Sequence, residues 1–183
     1  ILLFLCFLYE NNFMRLQSSA PADISSIVKI IEAAKAHLSF LKIDQWQNGY
    51  PNKEQIENDV SNNESYVVLN DEQTIIATAM FTIHPEPTYK IIEGKWLVSE
   101  SETYGVIHRL AIGKEYKNKG IATFVLKSFH QQLLNKNIKS LKIDTHEDNH
   151  EMQSLIKKLG YVYCGIIFTD YNAKRFAFEK VIF

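Results

Sequence analysis

The chain has 183 residues, of which 46% are hydrophobic and 22% are charged. This composition excludes collagen-like, disordered and disulfide-rich proteins, and at this length one self-sufficient domain is the default. The 20 basic and 21 acidic side chains leave a formal net charge of −1, so no overall positive field indicates nucleic acid as a partner. The two cysteines, Cys6 and Cys164, match no metal-binding or redox spacing, which predicts free thiols in a reducing cytoplasm.

The first thirteen residues are interpreted separately from the rest. The run from Ile1 to Tyr9 is apolar but shorter than the ~20 residues that a membrane-spanning helix needs. It also lacks the basic start and the cleavage site of a signal peptide. We therefore expect residues 1–13 to be a non-native or disordered extension, residues 14–183 to form one domain, and the protein to be cytoplasmic without a membrane partner. A membrane anchor is the alternative for the extension.

Hydrophobic spacing and turn chemistry predict alternating helices and strands along the chain. Apolar residues at intervals of three to four mark the helices, and alternating or β-branched runs mark the strands. Residues 85–103 show no clear period. The order of elements indicates a mixed α/β domain with a strand–helix–strand unit at its centre. The predicted elements are a short strand at 15–18, a helix from Pro21 through Leu38, a short helix capped by Asn52, a hairpin of strands at 65–69 and 74–84, a strand at 106–112, a helix from Asn118 to about Lys136, a strand at 138–145, a helix capped by Asp148 and ended by Gly160, and strands at 161–169 and 175–182.

The most informative stretch joins the strand at 106–112 to the helix that follows it. Lys117, Lys119 and Gly120 lie at the start of that helix, whose first turn presents free N–H groups and the positive end of the helix dipole. Since glycine lets a ligand approach the backbone, the loop is predicted to bind a phosphate group. A solvated basic turn with a packing glycine is the alternative. The spacing matches neither Gly-x-x-x-x-Gly-Lys-Ser/Thr nor Gly-x-Gly-x-x-Gly, which disfavours an NTPase or nicotinamide site.

Two motifs at a characteristic separation carry a family resemblance. The first is Lys-x-x-Gly-x-Ala at 117–122, and the second is Asn-x-x-Met-x-x-Leu-Ile-x-x-x-Gly-Tyr at 149–161. Together they resemble the signatures Arg/Gln-x-x-Gly-x-Gly/Ala and Asn-x-x-Ala-x-x-Leu-Tyr-x-x-x-Gly-Phe of the GNAT superfamily of acyl-CoA-dependent N-acetyltransferases. Residues 45–51 and 144–149 look like those of a bacterial subgroup with an unassigned acceptor. The resemblance implies a mixed, mostly antiparallel sheet with splayed parallel strands at its centre and helices on both faces.

The resemblance also implies a cosubstrate and a reaction. Acetyl-CoA would lie between the splayed strands at 106–112 and 141–145, and a primary amine would attack the thioester directly in a ternary complex. The implied partners are acetyl-CoA and a small-molecule or peptide amine, with no metal, in a monomer or homodimer. The implied roles are pantetheine binding at 110–112, pyrophosphate binding at 117–122 and contact with the CoA arm at Asn149. The corresponding cofactor-binding residues are Leu110, Ala111, Ile112, Lys117, Asn118, Lys119, Gly120, Ile121, Ala122 and Asn149.

His108 is the first candidate for the general base. Its side chain type, with an unperturbed pKa near 6.5, suits removal of a proton near neutral pH. Strict strand alternation places Arg109 on one face and His108 on the other, together with Val106, Leu110 and Ile112. Arylalkylamine-type members of the family carry a histidine at the matching position. The alternative is a hydrogen-bonded histidine with a purely structural role.

Further candidates surround the expected cleft. Asp144 and His146, at the end of the next strand, are the second choices for catalytic residues. Trp46 and Tyr50 lie between the first two helices, a segment that borders the acceptor in relatives, although aromatic anchoring of a loop is an equal alternative. Ile156 stands where many relatives carry a tyrosine that protonates the departing thiolate, so no general acid is assigned.

Two other classes of function compete with acetyl transfer. The string from His146 through Glu147 to His150 matches the His-Glu-x-x-His motif of zinc hydrolases, which needs both histidines on one helical face and a third ligand. Because Asp148 is expected to cap the helix, His146 would precede it, and this geometry is disfavoured. The second competitor is a non-catalytic acyl-CoA-binding module, since a fold does not by itself establish a function.

Overall fold

The computed structural model describes residues 7–9, 12–99 and 101–183. Residues 1–6, 10 and 11 of the predicted extension lie outside the described residues, and so does Cys6. Within the extension, the backbone of β1 (Phe7–Tyr9) pairs in antiparallel register with β2 (Asn12–Ser18). Two statements stay predictions: residues 1–13 are a non-native extension, and residues 14–183 form one domain. In the described part of the chain, no helix is both long enough and apolar enough to cross a membrane.

The elements follow the predicted order and form one mixed sheet with flanking helices. In the sheet the strands are arranged β1-β2-β3-β4-β6-β7-β9-β8-β5. The pair β6–β7 is parallel and the other described pairs are antiparallel, which confirms the predicted sheet. The remaining elements are α1 (Ile24–Phe40), α2 (Lys53–Ser61), β3 (Ser65–Leu69), β4 (Ile75–Thr82), β5 (Glu93–Gly94), β6 (Gly105–Ile112), α3 (Ile121–Asn135), β7 (Ser140–Thr145), α4 (His150–Lys158), β8 (Val162–Phe168) and β9 (Lys174–Val181).

The parallel strands β6 and β7 separate toward their carboxyl ends. Their shared register ends where Ile107 lies opposite Ile143, although β6 continues to Ile112 and β7 to Thr145. Beyond this point β6 stays paired with β4, and β7 stays paired with β9. The prediction that these two strands are parallel neighbours that splay apart is confirmed.

Helices cover both faces of the sheet, as predicted. Two neighbouring residues of β3 show this, because successive side chains of a strand point to opposite faces. Val67 is buried in a cluster with Ile27 of α1 and residues of α2. Val68 is buried in a larger cluster with Phe129 of α3 and Ile156 of α4. The helices α1 and α2 therefore lie on one face, and α3 and α4 on the other.

Two predicted helix starts shift in the structure. The helix α3 begins at Ile121 rather than Asn118, since Asn118 and Gly120 adopt φ values of 61° and 75°, which a right-handed helix excludes. The cap of α4 is Asn149, whose side chain accepts a hydrogen bond from the backbone N–H three residues later at 3.2 Å. The expectation that Asp148 is this cap is wrong, because Asp148 lies one residue before the true capping position.

The segment at 85–103 forms a third small core beside the sheet. A 3-10 turn at Pro87–Lys90 is followed by the short strand β5. Tyr89 and Trp96 are both buried, their ring centroids are 5.1 Å apart, and the indole nitrogen donates to the backbone oxygen of Tyr89 at 3.0 Å. This packing fixes the position of Glu86, at the entrance of the turn, against β6.

Candidate active site

A cleft of about 840 Å³ lies where β6 and β7 separate. Its lining includes the loop before α3, the segment between α1 and α2, and the turn between β8 and β9. Of the predicted site residues, His146 and Lys119 are not part of this lining. The cleft brings together Trp46, Tyr50, His108, Leu110, Ala111, Ile112, Lys117, Asn118, Gly120, Ile121, Ala122, Asp144 and Asn149.

A β-bulge interrupts β6 in the middle of the cleft. Arg109 and Leu110 together lie opposite Ala79 of β4, where the register between the two strands shifts by one residue. Arg109 has a φ of 54°, a left-handed value that is uncommon for a residue other than glycine. A bulge of this kind bends the strand and redirects the side chains around it.

The bulge changes which residues share a face with His108. Ile107, Leu110 and Ile112 all pack in the large cluster with α3 and α4, although strict alternation would put Ile107 on the opposite face. The prediction that His108 shares a face with Leu110 and Ile112 is therefore wrong. The expected separation of His108 from Arg109 is wrong as well. Arg109 binds Asp59 of α2, and His108 contacts Asp144, which alternation with Ile143 of the α3–α4 cluster puts on the same face as α2.

His108 lies between two carboxylates at the point where the strands separate. Its Nε2 atom is 2.9 Å from Oε2 of Glu86, and its Nδ1 atom is 3.5 Å from Oδ1 of Asp144. The hydroxyl of Tyr89 donates to the same Asp144 oxygen at 2.7 Å. Burial, reinforced by the charge of Asp144, raises the pKa of Tyr89 well above its usual value, so the phenol stays protonated. The imidazole is thus oriented from both sides.

Glu86 is held as a carboxylate by the groups around it. Its Oε1 atom accepts hydrogen bonds from the backbone N–H and the hydroxyl of Thr88, at 3.1 and 2.8 Å. Burial alone would raise the pKa of Glu86, but the hydrogen bond and charge of His108, together with the Thr88 bonds, lower it to about 2. A group ionised this strongly is a poor base near neutral pH. Its geometry instead positions the imidazole of His108.

A buried ion pair lies beside this group. Arg109 donates from Nε and Nη2 to the two carboxylate oxygens of Asp59 in α2, at 2.7 and 2.8 Å. Its Nη1 atom donates to the hydroxyl of Tyr50, and Gln55 donates to the Asp59 carboxylate at 3.0 Å. Burial would lower the pKa of Arg109, but Tyr50 and Asp59 raise it above its ordinary value. The guanidinium therefore stays charged and ties the bulge of β6 to α2.

Gln45 connects the segment between α1 and α2 to the end of β7. Its Oε1 atom accepts from Nδ2 of Asn149 at 2.9 Å and from the backbone N–H of His146 at 3.4 Å. The other end of the Asn149 amide caps α4, so both ends of this side chain are bound within the protein. Nδ1 of His146 accepts from the backbone N–H of Asp148 at 3.1 Å. His146 is thereby held in the turn, outside the cleft lining.

The loop before α3 has the geometry of an anion cradle. The left-handed residues Asn118 and Gly120 turn the chain immediately before the first turn of α3, whose N–H groups have no partner within the helix. Such concave arrangements of N–H groups bind phosphates. Lys117 lines the cleft, whereas the ammonium of Lys119 lies 5.4 Å from the ring centroid of Tyr116.

Aromatic residues also line the cleft. Trp46 lines the cleft and also packs against the α1–α2 core, so it anchors this segment, and its contact with an acceptor stays a prediction. The ring centroid of Tyr50 is 6.1 Å from that of Tyr171, in the turn between β8 and β9. Burial raises the pKa of Tyr50, although the neighbouring Arg109 opposes the shift. The Tyr50 phenol is therefore neutral near pH 7.

The position matching the family's acid is closed to the cleft. Ile156 is fully buried in the core beneath α4. The hydroxyl of Tyr161 is 2.8 Å from Nε2 of His130, and the ring of Tyr163 packs edge-on against Phe176. Neither Tyr161 nor Tyr163 is among the described residues that line the cleft.

The structure does not form the geometry that a zinc hydrolase needs. His150 is the first residue of α4, whereas His146 lies in the turn before it, so the two histidines do not share a helical face. In the part of the chain that the structure describes, no group of three or more His, Cys, Asp or Glu side chains is placed to hold a metal.

Two acidic residues of the site were missed in the sequence. Glu86 lies in the segment without a period, although Pro87 directly after it is typical of the first position of a helix. Asp59 lies three residues after Ile56 and directly before Val60, the two residues that form the apolar face of α2. A charged residue on an apolar helix face was the signal that could have revealed a buried ion pair.

Comparisons with known proteins point to one family. A model of the acetyltransferase (GNAT) family matches residues 32–161. The crystal structure of a GNAT-family acetyltransferase from Streptococcus agalactiae has a TM-score of 0.82 and 32% sequence identity, covering 92% of this chain and 95% of that chain. A GNAT-family acetyltransferase from Listeria monocytogenes (TM-score 0.77, 11% identity, coverage 97% and 99%) and the NatC complex bound to Gag peptide and CoA (TM-score 0.66, 13% identity, coverage 93% and 99%) share the fold. No match is found among curated proteins.

Proposed function

Because this chain belongs to the acetyltransferase (GNAT) family, and is thus an acyltransferase, we propose that it moves an acetyl group from acetyl-CoA to a primary amine by direct attack in a ternary complex. The observation that carries the proposal is the cleft between the splayed strands β6 and β7. The cleft joins the loop before α3, which precedes the free N–H groups of the helix's first turn, to an oriented histidine within one cavity.

The residues of the cleft suit the parts of CoA. The N–H groups at the start of α3, with Lys117, would hold the pyrophosphate. The backbone at 110–112, beyond the end of the parallel pairing with β7, would hold the pantetheine arm and polarise the thioester carbonyl. The NatC complex, which shares this fold, is bound to CoA, and this supports CoA as the ligand of the cleft. Asn149 would contribute through its remaining amide N–H, since its other polar atoms cap α4 and contact Gln45.

His108 would remove the proton from the attacking amine. The amine nitrogen forms a bond to the acetyl carbon, the carbon–sulfur bond breaks, and the electron pair leaves with the CoA thiolate. Since Nε2 of His108 contacts Glu86 at 2.9 Å, the proton would pass through a water molecule to the lone pair of Nδ1, which lies 3.5 Å from Asp144. Glu86 and Asp144 act as positioning residues that stabilise the imidazolium formed.

The leaving group does not require an acid from the protein. A thiol has a pKa near 8.5, so departure as a thiolate is tolerable close to neutral pH. The buried Ile156 at the family's acid position is compatible with this route.

The test is a screen for thiol release from acetyl-CoA over polyamines, amino acids, aminoglycosides, small amines and peptide N-termini. The proposal expects amine-dependent release with at least one class, and acetylated product of the corresponding mass. Calorimetric titration with CoA runs in parallel. Binding of acetyl-CoA without transfer to any amine would instead support a binding module and contradict the proposed transfer.

A further inference from the structure

Arg175 is a buried cation that lines the same cleft. It lies near the start of β9 and is only 3% exposed. Its Nη1 atom donates to the backbone oxygen of Lys174 at 2.7 Å, and its Nη2 atom donates to the hydroxyl of Tyr171 at 3.1 Å. Among the described residues, no carboxylate oxygen lies within 4.0 Å of this guanidinium. Its positive charge is thus held by two neutral acceptors.

The contrast with Arg109 shows what is missing at Arg175. Both arginines are buried and line the cleft, but Arg109 has the carboxylate of Asp59 as an internal counter-ion. Taking a charge out of water is costly unless an opposite charge accompanies it. A guanidinium also offers five N–H donors in a planar fork, and the two neutral acceptors leave part of that fork for a ligand. The structure therefore supplies a counter-ion to one arginine and not to the other.

Arg175 lies close to the oriented histidine. On β9 it is two residues before Ala177, which lies directly opposite Asp144 of β7. Residues two apart on a strand share a face. Arg175 and Asp144 are therefore diagonal neighbours on one face, a relationship that puts their Cα atoms about 7–8 Å apart. Asp144 in turn contacts His108 at 3.5 Å. One small molecule can therefore place an amine beside His108 and an anionic group on Arg175.

Building on the proposed amine acetylation, we propose that the acceptor belongs to the amino-acid class, with a carboxylate near its amine that is bound by Arg175. Arginine pairs with carboxylates through two parallel hydrogen bonds, and Tyr171 holds the guanidinium in place for them. A site of this kind discriminates strongly, because an amine without the carboxylate leaves a buried cation unpaired.

The test compares matched pairs of amines. Amino acids with increasing separation between amine and carboxylate are assayed against their amides and against the same amines lacking the carboxylate. The natural enzyme is expected to prefer the carboxylated member by about 10- to 100-fold in kcat/KM, the range of a charge-assisted hydrogen bond. The ratio of kcat/KM for the carboxylated amine to that for its carboxylate-free partner falls toward one in Arg175→Gln and recovers in part in Arg175→Lys. The matched control is Arg15→Gln, which removes a cation bound to Gln73 outside the cleft and keeps the ratio.

Two further measurements keep the test decisive. Calorimetric titration with N-acetylated amino acids, the expected products, reports carboxylate binding without turnover. If Arg175→Gln does not fold, Tyr171→Phe replaces it, because the Tyr171 side chain is 41% exposed and the change removes only the hydroxyl. In Tyr171→Phe the preference in kcat/KM for the carboxylated amine is expected to fall several-fold.

The outcomes separate this inference from the proposed function. Acetylation of carboxylate-free amines at equal kcat/KM overturns the carboxylate site and leaves acetyl transfer intact. Arg175-dependent binding of N-acetyl amino acids without acetylation of any amine supports the carboxylate site and contradicts the transfer. An unchanged ratio in every Arg175 and Tyr171 variant overturns the inference.

Discussion

Arg109 donates hydrogen bonds to both carboxylate oxygens of Asp59, at 2.7 and 2.8 Å. The side chain of Arg109 is only 7% exposed and that of Asp59 only 6%. This pair joins the bulge of β6 to α2, across the face of the sheet that α1 and α2 cover. Because the bulge determines the direction of its neighbours, the ion pair also helps to set the position of His108 at the cleft. A contact outside the reacting atoms is thus part of the site's architecture.

Replacing Asp59 by alanine is expected to lower the free energy of unfolding by about 3–5 kcal/mol, since it leaves the Arg109 guanidinium buried without its counter-ion. Urea denaturation measures the change. The double variant Asp59→Ala/Arg109→Met is expected to recover part of the loss. Glu57→Ala, which removes an exposed pair with Lys53 at 3.1 Å, serves as the control, with an expected loss below about 1 kcal/mol. Equal losses of unfolding free energy in Asp59→Ala and Glu57→Ala would contradict this account.

The sequence predicted the elements whose signals are local. The loop before α3 could be recognised because Gly120 and its basic neighbours follow a strand directly. The parallel pairing of the two central strands follows from the helix that connects them, whereas their splay was implied by the family resemblance. The bulge at Arg109 could not be recognised in this way. It depends on Asp59, fifty residues earlier in the chain, and strict alternation therefore assigned wrong neighbours to His108.

The polar network around His108 was hidden for a similar reason. The segment at 85–103 has no period, because its conformation is determined by packing of Tyr89 and Trp96 against β8 and β9 rather than by a helix or a long strand. Glu86 reaches the site only through this packing. His108 itself could be singled out in the sequence, because its side-chain type suits proton removal and the family resemblance implies a histidine at this position; its role as the base stays a prediction.

Substituting valine for Gly120 is expected to abolish binding of acetyl-CoA. The φ of 75° at this position is unfavourable for a β-branched residue, and the added side chain would block approach to the backbone N–H groups. Lys117→Ala is expected to weaken binding only modestly, because N–H groups provide much of the phosphate contact. Calorimetric titration with acetyl-CoA measures both.

Gly160 provides the matched control for backbone strain. Its φ is 84°, and an added Cβ atom would meet only the end of Lys180 at 3.9 Å. Gly160→Val should therefore lose stability comparably while retaining acetyl-CoA binding. If Gly120→Val binds acetyl-CoA as the natural protein does, the phosphate cradle lies elsewhere.

The charge of Glu86 is expected to stabilise the fold in a pH-dependent manner. Its pKa is about 2 in the folded protein and 4.5 ordinarily, so the unfolded chain binds more protons between these values. The stabilisation is complete above about pH 4.5 and is lost as the pH falls toward 2. Glu86→Gln should thus lower the free energy of unfolding more at pH 5.5 than at pH 3. Glu57→Gln is the exposed control, and equal effects of Glu86→Gln at both pH values would refute the prediction.

His108→Ala is expected to lower kcat/KM by ~10²–10⁴-fold, the usual contribution of a general base, and to remove the ascending limb of the pH profile. The measurement is kcat/KM against pH with one good amine acceptor. His84→Ala is the control, since this imidazole is 80% exposed and contacts Glu64. An ascending limb that survives in His108→Ala with its midpoint unchanged would make His108 structural and Asp144 the better candidate.

Restoring the family's tyrosine by Ile156→Tyr is expected to yield no gain in rate and to cost about 1–3 kcal/mol of stability, because the larger side chain overpacks a closed core. Ile156 is fully buried between α4 and the sheet, so a phenol there would not reach the cleft without a backbone shift. Thermal unfolding and kcat/KM are measured together. Ile156→Leu conserves volume and should cost less than about 1.5 kcal/mol. If Ile156→Tyr raises kcat/KM tenfold or more and keeps its stability, the departing thiolate does need a protonating group, and α4 can still deliver one.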